Sequence, residues 1–127
     1  MTYLDSSVAL AHLLGETRVP PLSLWQESLV SSRLLEYEVW TRVHARGLGR
    51  THADGVRVLI GAIALLELSP LVVARAIEPF PVAVRTLDAL HLASMTFLRD
   101  RGEPVQLATY DDRLASAARA LDFAVIA

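Results

Sequence analysis

The sequence predicts an α/β protein in which a parallel sheet of roughly five strands is covered by helices on both faces. Short apolar runs, which are typical of buried strands, alternate along the chain with longer segments whose apolar residues recur at helical spacing. Segments rich in glycine and proline separate these runs and mark turns. Strands that alternate with helices pair in parallel, because each helix carries the chain back across the sheet.

The first half of the chain is predicted to contain two strands and four helices. Gly47 follows one of these helices directly, and glycine readily adopts the left-handed conformation that is common just beyond a helix end. In the helix predicted over residues 51–66, apolar residues recur every three or four positions and therefore share one face. The predicted strands cover residues 1–4 and 29–31, and the predicted helices cover residues 6–14, 21–27, 33–46 and 51–66.

The second half is predicted to begin with a brief strand around Leu68 and to continue the same alternation. Thr86 is expected to cap the longest helix of this half, since threonine accepts a hydrogen bond from an exposed helical N–H group. The predicted helices cover residues 71–77, 87–99 and 112–121, and the predicted strands cover residues 105–108 and 123–126.

Length and composition exclude several classes of protein. The 127 residues suit one domain with one core, and the absence of cysteine excludes disulfides and thiolate zinc sites. The longest apolar run, residues 58–66, is far shorter than the roughly 20 residues that cross a bilayer, and no signal-peptide pattern precedes it, so we expect a cytoplasmic protein.

The net charge of −2 argues against sequence-independent coating of duplex nucleic acid. With 53% apolar residues, we expect surface left over for a second chain.

Two aspartates stand where a predicted strand meets the following helix. Asp5 follows the strand at residues 1–4, and Asp111 follows the strand at residues 105–108. Either is a favourable helix cap, worth about 1 kcal/mol, and this structural interpretation accounts for each residue taken alone. However, the carboxyl ends of parallel strands meet at one edge of an open sheet, where ligands bind. We therefore expect Asp5 and Asp111 to be neighbours in space.

Two further carboxylates fall among apolar neighbours. Asp88 lies in the segment RTLDALHLASM, where an unpaired charge would be costly, although its place in the first helical turn also suits the helix dipole. Glu36 can pair with Arg33, three residues earlier, on a solvated face. Glu38 points to the opposite side of the same helix, which it shares with apolar residues. Asp88 and Glu38 therefore call for a partner that the local sequence does not supply.

Four carboxylates brought together require a counter-ion, because like charges at close range strongly raise one another's pKa values. A set of ligands made only of oxygen atoms suits Mg²⁺ or Mn²⁺, which also bind phosphate oxygens. Such an ion activates water and neutralises charge on a phosphoryl group. The residues alone therefore favour a divalent cation site that is used in phosphodiester chemistry.

Four segments of the sequence, in this order and spacing, resemble the PIN-domain ribonucleases, and in particular the VapC-type toxins of bacterial type II toxin–antitoxin systems. They are LDSSVALAHLL, SSRLLEYEV, RTLDALHLASM and TYDDRLASAARAL. The resemblance extends over residues 3–125. It implies a single PIN domain over residues 1–127, with a three-layer fold in which helices flank a five-stranded parallel sheet on both faces.

The resemblance also implies which residues form the site. The four acidic residues of the family fall on Asp5, Glu38, Asp88 and Asp111, which are then the expected catalytic residues. Asp5, Asp88 and Asp111 would bind an Mg²⁺ ion, or Mn²⁺ in its place, with Asp112 as an outer ligand. Glu38 would orient or deprotonate the attacking water.

Other positions are expected to contribute less directly. Ser6 and Thr109 resemble the small hydroxyl residues that line the pocket of the family, and His91 resembles a histidine that packs rather than catalyses. Arginines on one helix are candidates for steering RNA, although a solvated helix face explains them equally well. These arginines are Arg33, Arg42 and Arg46.

The function that the resemblance implies is Mg²⁺- or Mn²⁺-dependent endonucleolytic cleavage of RNA by a toxin. Such toxins form homodimers and are neutralised by a cognate antitoxin protein of the VapB type. DNA would be contacted only through that antitoxin, and no membrane would be involved.

Two other interpretations remain open at this point. A non-catalytic PIN-like module would grip a partner without cleaving it. An aspartyl-phosphate receiver or phosphatase domain also places acids at the ends of parallel strands, but it needs a lysine to hold the phosphoryl group. All 12 basic residues of this chain are arginine, which argues against this class.

Overall fold

The computed structural model describes residues 1–126, which form a five-stranded parallel sheet and six α-helices. The predicted α/β class, with its parallel sheet of five strands, is therefore confirmed. The strands are β1 (Thr2–Leu4), β2 (Leu29–Ser32), β3 (Ala64–Leu66), β4 (Gln106–Ala108) and β5 (Ala124–Ile126). The helices are α1 (Ser6–Leu14), a short 3₁₀ helix (Leu22–Gln26), α2 (Arg33–Ala45), α3 (Gly49–Gly61), α4 (Pro70–Ala76), α5 (Thr86–Asp100) and α6 (Asp112–Ala120).

The order of the strands places a crevice beside β1. Across the sheet the strands run β3-β2-β1-β4-β5, so that Tyr3 of β1 pairs with Val30 on one side and with Leu107 on the other. The chain first moves outwards from β1 through β2 to β3, and later through β4 to β5. The direction of winding therefore reverses at β1. In open parallel sheets, ligands bind at such a switch point, outside the carboxyl ends of the strands.

Two apolar cores lie on opposite faces of the sheet, because side chains alternate in direction along a strand. Leu4 of β1 packs with α1, α2 and α3, for example against Val8 and Leu35. The preceding residue, Tyr3, packs on the other face with α5 and α6, for example against Leu92. The side chains named here, including that of Tyr3, are all fully buried. Helices therefore cover both faces of the sheet, and the fold has three layers.

Three local predictions are wrong. The helix predicted over residues 51–66 ends at Gly61 as α3, and the strand expected around Leu68 lies earlier, at Ala64–Leu66. The apolar run over residues 58–66 suits either element, and only pairing with β2 assigns its last part to a strand. Thr86 is the first helical residue of α5 and not its cap; Arg85 holds the cap position without any capping by its side chain.

The longest helix, α5, carries two residues of the site. Its 15 residues place Asp88 in the first turn and His91 one turn later. The apolar residues that follow anchor the helix to the sheet, and they include Leu92 and Met95, both fully buried.

Over residues 1–126, no helix is both long and apolar enough to span a membrane.

Candidate functional site at the carboxyl edge of the sheet

The four acidic residues singled out in the sequence line one cavity of about 720 Å³. Asp5 follows β1 and Asp111 follows β4, the two adjacent strands at the switch point. Glu38 projects from α2, and Asp88 projects from the first turn of α5. The fold therefore brings together carboxylates that lie far apart along the chain.

Asp5 is buried and tied to both strands of the switch point. It caps α1, since Ser7 donates to Asp5 Oδ2 through its hydroxyl group at 2.6 Å and through its backbone N–H at 3.4 Å. Thr109, which follows β4, donates its hydroxyl group to the same oxygen at 2.8 Å. Ser7 Oγ in turn accepts from the backbone N–H of Tyr110 at 2.9 Å. The carboxylate is thus held rigidly, while its other oxygen, Oδ1, makes no hydrogen bond to any of residues 1–126.

Glu38 is held by a buried histidine. Its Oε1 lies 2.6 Å from His91 Nε2, and His91 Nδ1 lies 2.7 Å from the hydroxyl oxygen of Tyr3. Burial alone would lower the pKa of His91, but the hydrogen bond and the charge of Glu38 raise it above its ordinary value. The interpretation of His91 as a packing residue is therefore incomplete, because its ring also fixes the orientation of Glu38.

Arg85 joins the other two carboxylates. Its Nε donates to Asp88 Oδ2 at 2.8 Å, and its Nη2 donates to Asp111 Oδ2. Burial raises the pKa of Asp88, and the charges of Asp111 and Asp5 add to this effect, so that Arg85 does not restore the ordinary value. Burial also acts to raise the pKa of Asp111, but Arg85 and two backbone N–H groups of α6 lower it overall.

Not every predicted residue faces the carboxylates. Asp112 is exposed and lines a neighbouring cavity of about 580 Å³, which shares only Arg85 and Asp88 with the acidic one. Ser6 lines the acidic cavity, as expected. Of the three arginines expected at the rim, only Arg42 lines this cavity. The other two form exposed ion pairs: Arg33 with Glu36 and Glu67, and Arg46 with Glu16.

The cavity has an excess of negative charge. Five carboxylates and three guanidinium groups line it, namely those of Asp5, Glu16, Glu38, Asp88, Asp111, Arg18, Arg42 and Arg85. Oxygen ligands of this kind fit a small divalent cation. As the side chains are oriented within residues 1–126, however, no group of three acidic or histidine side chains is arranged to hold one ion. Glu38 faces His91, and Arg85 engages Asp88 and Asp111, which accounts for this arrangement.

Sequence reasoning missed two residues of the site. Ser7, rather than Ser6, hydrogen-bonds to Asp5, and its position two residues after a capping aspartate was the available signal. Arg85 was overlooked although it stands three residues before Asp88, at a spacing that allows an ion pair. Its second contact, with Asp111, joins residues 26 positions apart and has no local signature.

Comparison with known proteins identifies the family. Residues 2–120 match the family model of the PIN domain. Ribonuclease VapC46 of Mycobacterium tuberculosis is 35% identical over 98% of this chain and 95% of its own length. Ribonuclease VapC47 of the same species is 30% identical over 97% of this chain and 93% of its own length, and Ribonuclease VapC35 is 27% identical. The chain therefore belongs to the PIN domain family and, within it, to the VapC-type ribonucleases.

Proposed function

We propose that this protein is a toxin endoribonuclease that hydrolyses phosphodiester bonds of RNA with the help of Mg²⁺ or Mn²⁺. The observation that carries the proposal is the convergence of Asp5, Glu38, Asp88 and Asp111 on one cavity at the switch point of the sheet. Full-length similarity to proteins named as ribonucleases supports the reaction class.

The donor atoms around the cavity fit a hard divalent cation. Asp5, Asp88 and Asp111 would hold the ion, either directly or through water, and their excess of negative charge favours it over a neutral ligand. When bound, the ion supplies positive charge for the scissile phosphate and lowers the pKa of a water molecule. Asp112 contributes at most from outside, since it lines the neighbouring cavity.

Glu38 is the residue best placed to handle the proton of the attacking water. One of its oxygens is engaged by His91 at 2.6 Å, which leaves the other oxygen for the cavity. His91 is a positioning residue in this scheme, because it acts on Glu38 and lies behind it with Tyr3. Arg18 and Arg42, on the wall of the cavity, supply positive charge for the phosphates that flank the cleaved bond.

The family and the exposed surface support the presence of protein partners. We propose that the protein forms a homodimer, acts on cytoplasmic RNA and is neutralised by a cognate antitoxin, through which alone it contacts DNA. Exposed apolar side chains on α4 and the segment after it support binding of a protein partner, because contact between apolar surface and water is unfavourable. They include Leu71 at 64% exposure and Ile77 at 81%.

Removal of divalent ions is expected to abolish RNA cleavage. With EDTA in excess, the rate should fall to background, and an excess of Mg²⁺ or Mn²⁺ should restore it, because the carboxylates alone cannot neutralise charge on the phosphate. The measurement is electrophoresis of a labelled RNA, with the 5′ and 3′ ends of the products mapped. Equal cleavage with and without EDTA would refute the metal mechanism, and RNA binding without any cleavage would favour the module that only binds.

A further inference from the structure

Arg85 holds two of the expected metal ligands at once. Its guanidinium group donates to Asp88 at 2.8 Å and also to Asp111, across the mouth of the acidic cavity. The two carboxylate side chains are 14% and 31% exposed, so that each remains only partly hydrated. Asp111 Oδ1 accepts from two backbone N–H groups of α6, so Oδ2, which accepts from Arg85, is the oxygen left for an ion.

Within the part of the chain that the structure describes, the other two arginines of the cavity make no such contact. Arg18 lies over the ring of Tyr110, 4.4 Å from its centroid, and Arg42 lines the wall within α2. Among the described residues, Arg85 is thus the cation that bridges acidic side chains of this cavity. It stands directly before α5, and its side chain does not cap the helix.

The side chain of Arg85 is accessible to water. It is 48% exposed, so water competes for its guanidinium group and weakens both ion pairs. The group also borders the second cavity, which is lined by Val82, Val84 and Ser116 among others. Space therefore exists on the side away from Asp5 and Glu38.

We propose that Arg85 is an internal counter-ion of the active site, which competes with the divalent cation for Asp88 and Asp111 and must leave both when the ion binds. The inference rests on the proposed metal site. A guanidinium group and a divalent ion repel each other at short range, and both are attracted to the Oδ2 atoms of Asp88 and Asp111, so binding of one weakens binding of the other. The contact offsets the repulsion between the two carboxylates while no ion is bound, and it weakens the affinity for the metal.

The test is the affinity for Mn²⁺ without RNA, measured by electron paramagnetic resonance of free Mn²⁺ and by calorimetry. Arg85→Gln should bind Mn²⁺ on the order of tenfold more tightly than the wild type, because the competing charge is gone. Arg85→Lys should bind it with intermediate affinity, since an ammonium group lacks the fork that bridges two carboxylates. The matched control is Arg57→Gln on α3, which breaks an exposed pair with Asp54 and should leave the affinity unchanged.

The outcomes separate this inference from the proposed function. If Arg85→Gln binds Mn²⁺ no more tightly than the wild type, while Asp111→Asn abolishes binding in both, the inference is overturned and the metal site stands. If the wild type, Arg85→Gln and Arg85→Lys all fail to bind millimolar Mn²⁺, both proposals are overturned. Circular dichroism checks the fold. Should Arg85→Gln not fold, Arg85→Lys decides by the same criterion, because any gain in its affinity supports competition and no gain refutes it.

Discussion

Asp5→Asn is expected to lower the rate of RNA cleavage by roughly 10²–10³-fold, because loss of metal stabilisation worth several kcal/mol at the transition state has an effect of this size. The fold should persist. Asparagine caps a helix as well as aspartate does, so the bond from the backbone N–H of Ser7 has an equivalent acceptor. The loss of one negative charge beside Asp88 and Asp111 also relieves repulsion.

The comparison needs a cleavage assay at saturating Mg²⁺ together with a thermal unfolding curve. The melting temperature of Asp5→Asn should equal or exceed that of the wild type. Asp122→Asn serves as the control, since Asp122 is exposed, lies outside the cavity and has a positive φ that asparagine also tolerates. An Asp5→Asn protein that cleaves RNA at the wild-type rate would reduce Asp5 to a helix cap.

His91→Leu is expected to lower the free energy of unfolding by about 2–4 kcal/mol, since it leaves Glu38 and the Tyr3 hydroxyl without their shared partner and each loss costs about 1–3 kcal/mol. Leucine is close to histidine in volume, so little of the effect comes from a cavity. Tyr3→Phe, which removes only one of the two hydrogen bonds, should cost about 1 kcal/mol. Denaturant unfolding followed by circular dichroism measures both.

The effect of His91→Leu should depend on pH in a defined direction. The pKa of His91 in the folded protein lies above the ordinary value of 6.5, so the folded state binds the proton more tightly than the unfolded state. This contribution is complete below pH 6.5 and is lost as the pH rises through the raised pKa. The gap in stability between wild type and His91→Leu should therefore be largest in mild acid and narrow at alkaline pH. A gap that is constant from pH 5.5 to 9 would contradict a charged pair with Glu38.

Most of the fold was predictable because local pattern and tertiary context agree. Residues 6–14 are helical in both the prediction and the structure, with an aspartate before the helix and Gly15 after it in the left-handed conformation. The boundary between α3 and β3 was not predictable. An uninterrupted apolar run fits a helix or a buried strand equally well, and only the pairing of Ala64–Leu66 with β2 distinguishes them.

The site was predictable at positions where a charged residue lies among apolar neighbours. Glu38 and Asp88 were singled out because carboxylates among apolar neighbours need partners, and both line the acidic cavity. Asp5 and Asp111 each cap a helix and also line the cavity, so the role of helix cap does not exclude a role in the site. Arg85 escaped prediction because its second partner is 26 residues away, and contacts of that range follow only from the topology.

The proposed mechanism requires distant carboxylates to share a divalent ion at the carboxyl edge of the sheet. The most direct measurement is a crystal structure with Mn²⁺, at a concentration that supports RNA cleavage, using the anomalous scattering of manganese. The expected result is a peak in the acidic cavity, bound by Asp5, Asp88 and Asp111 directly or through water, with Arg85 turned away. An anomalous map with no peak in that cavity, although the protein cleaves RNA under the same conditions, would contradict the account.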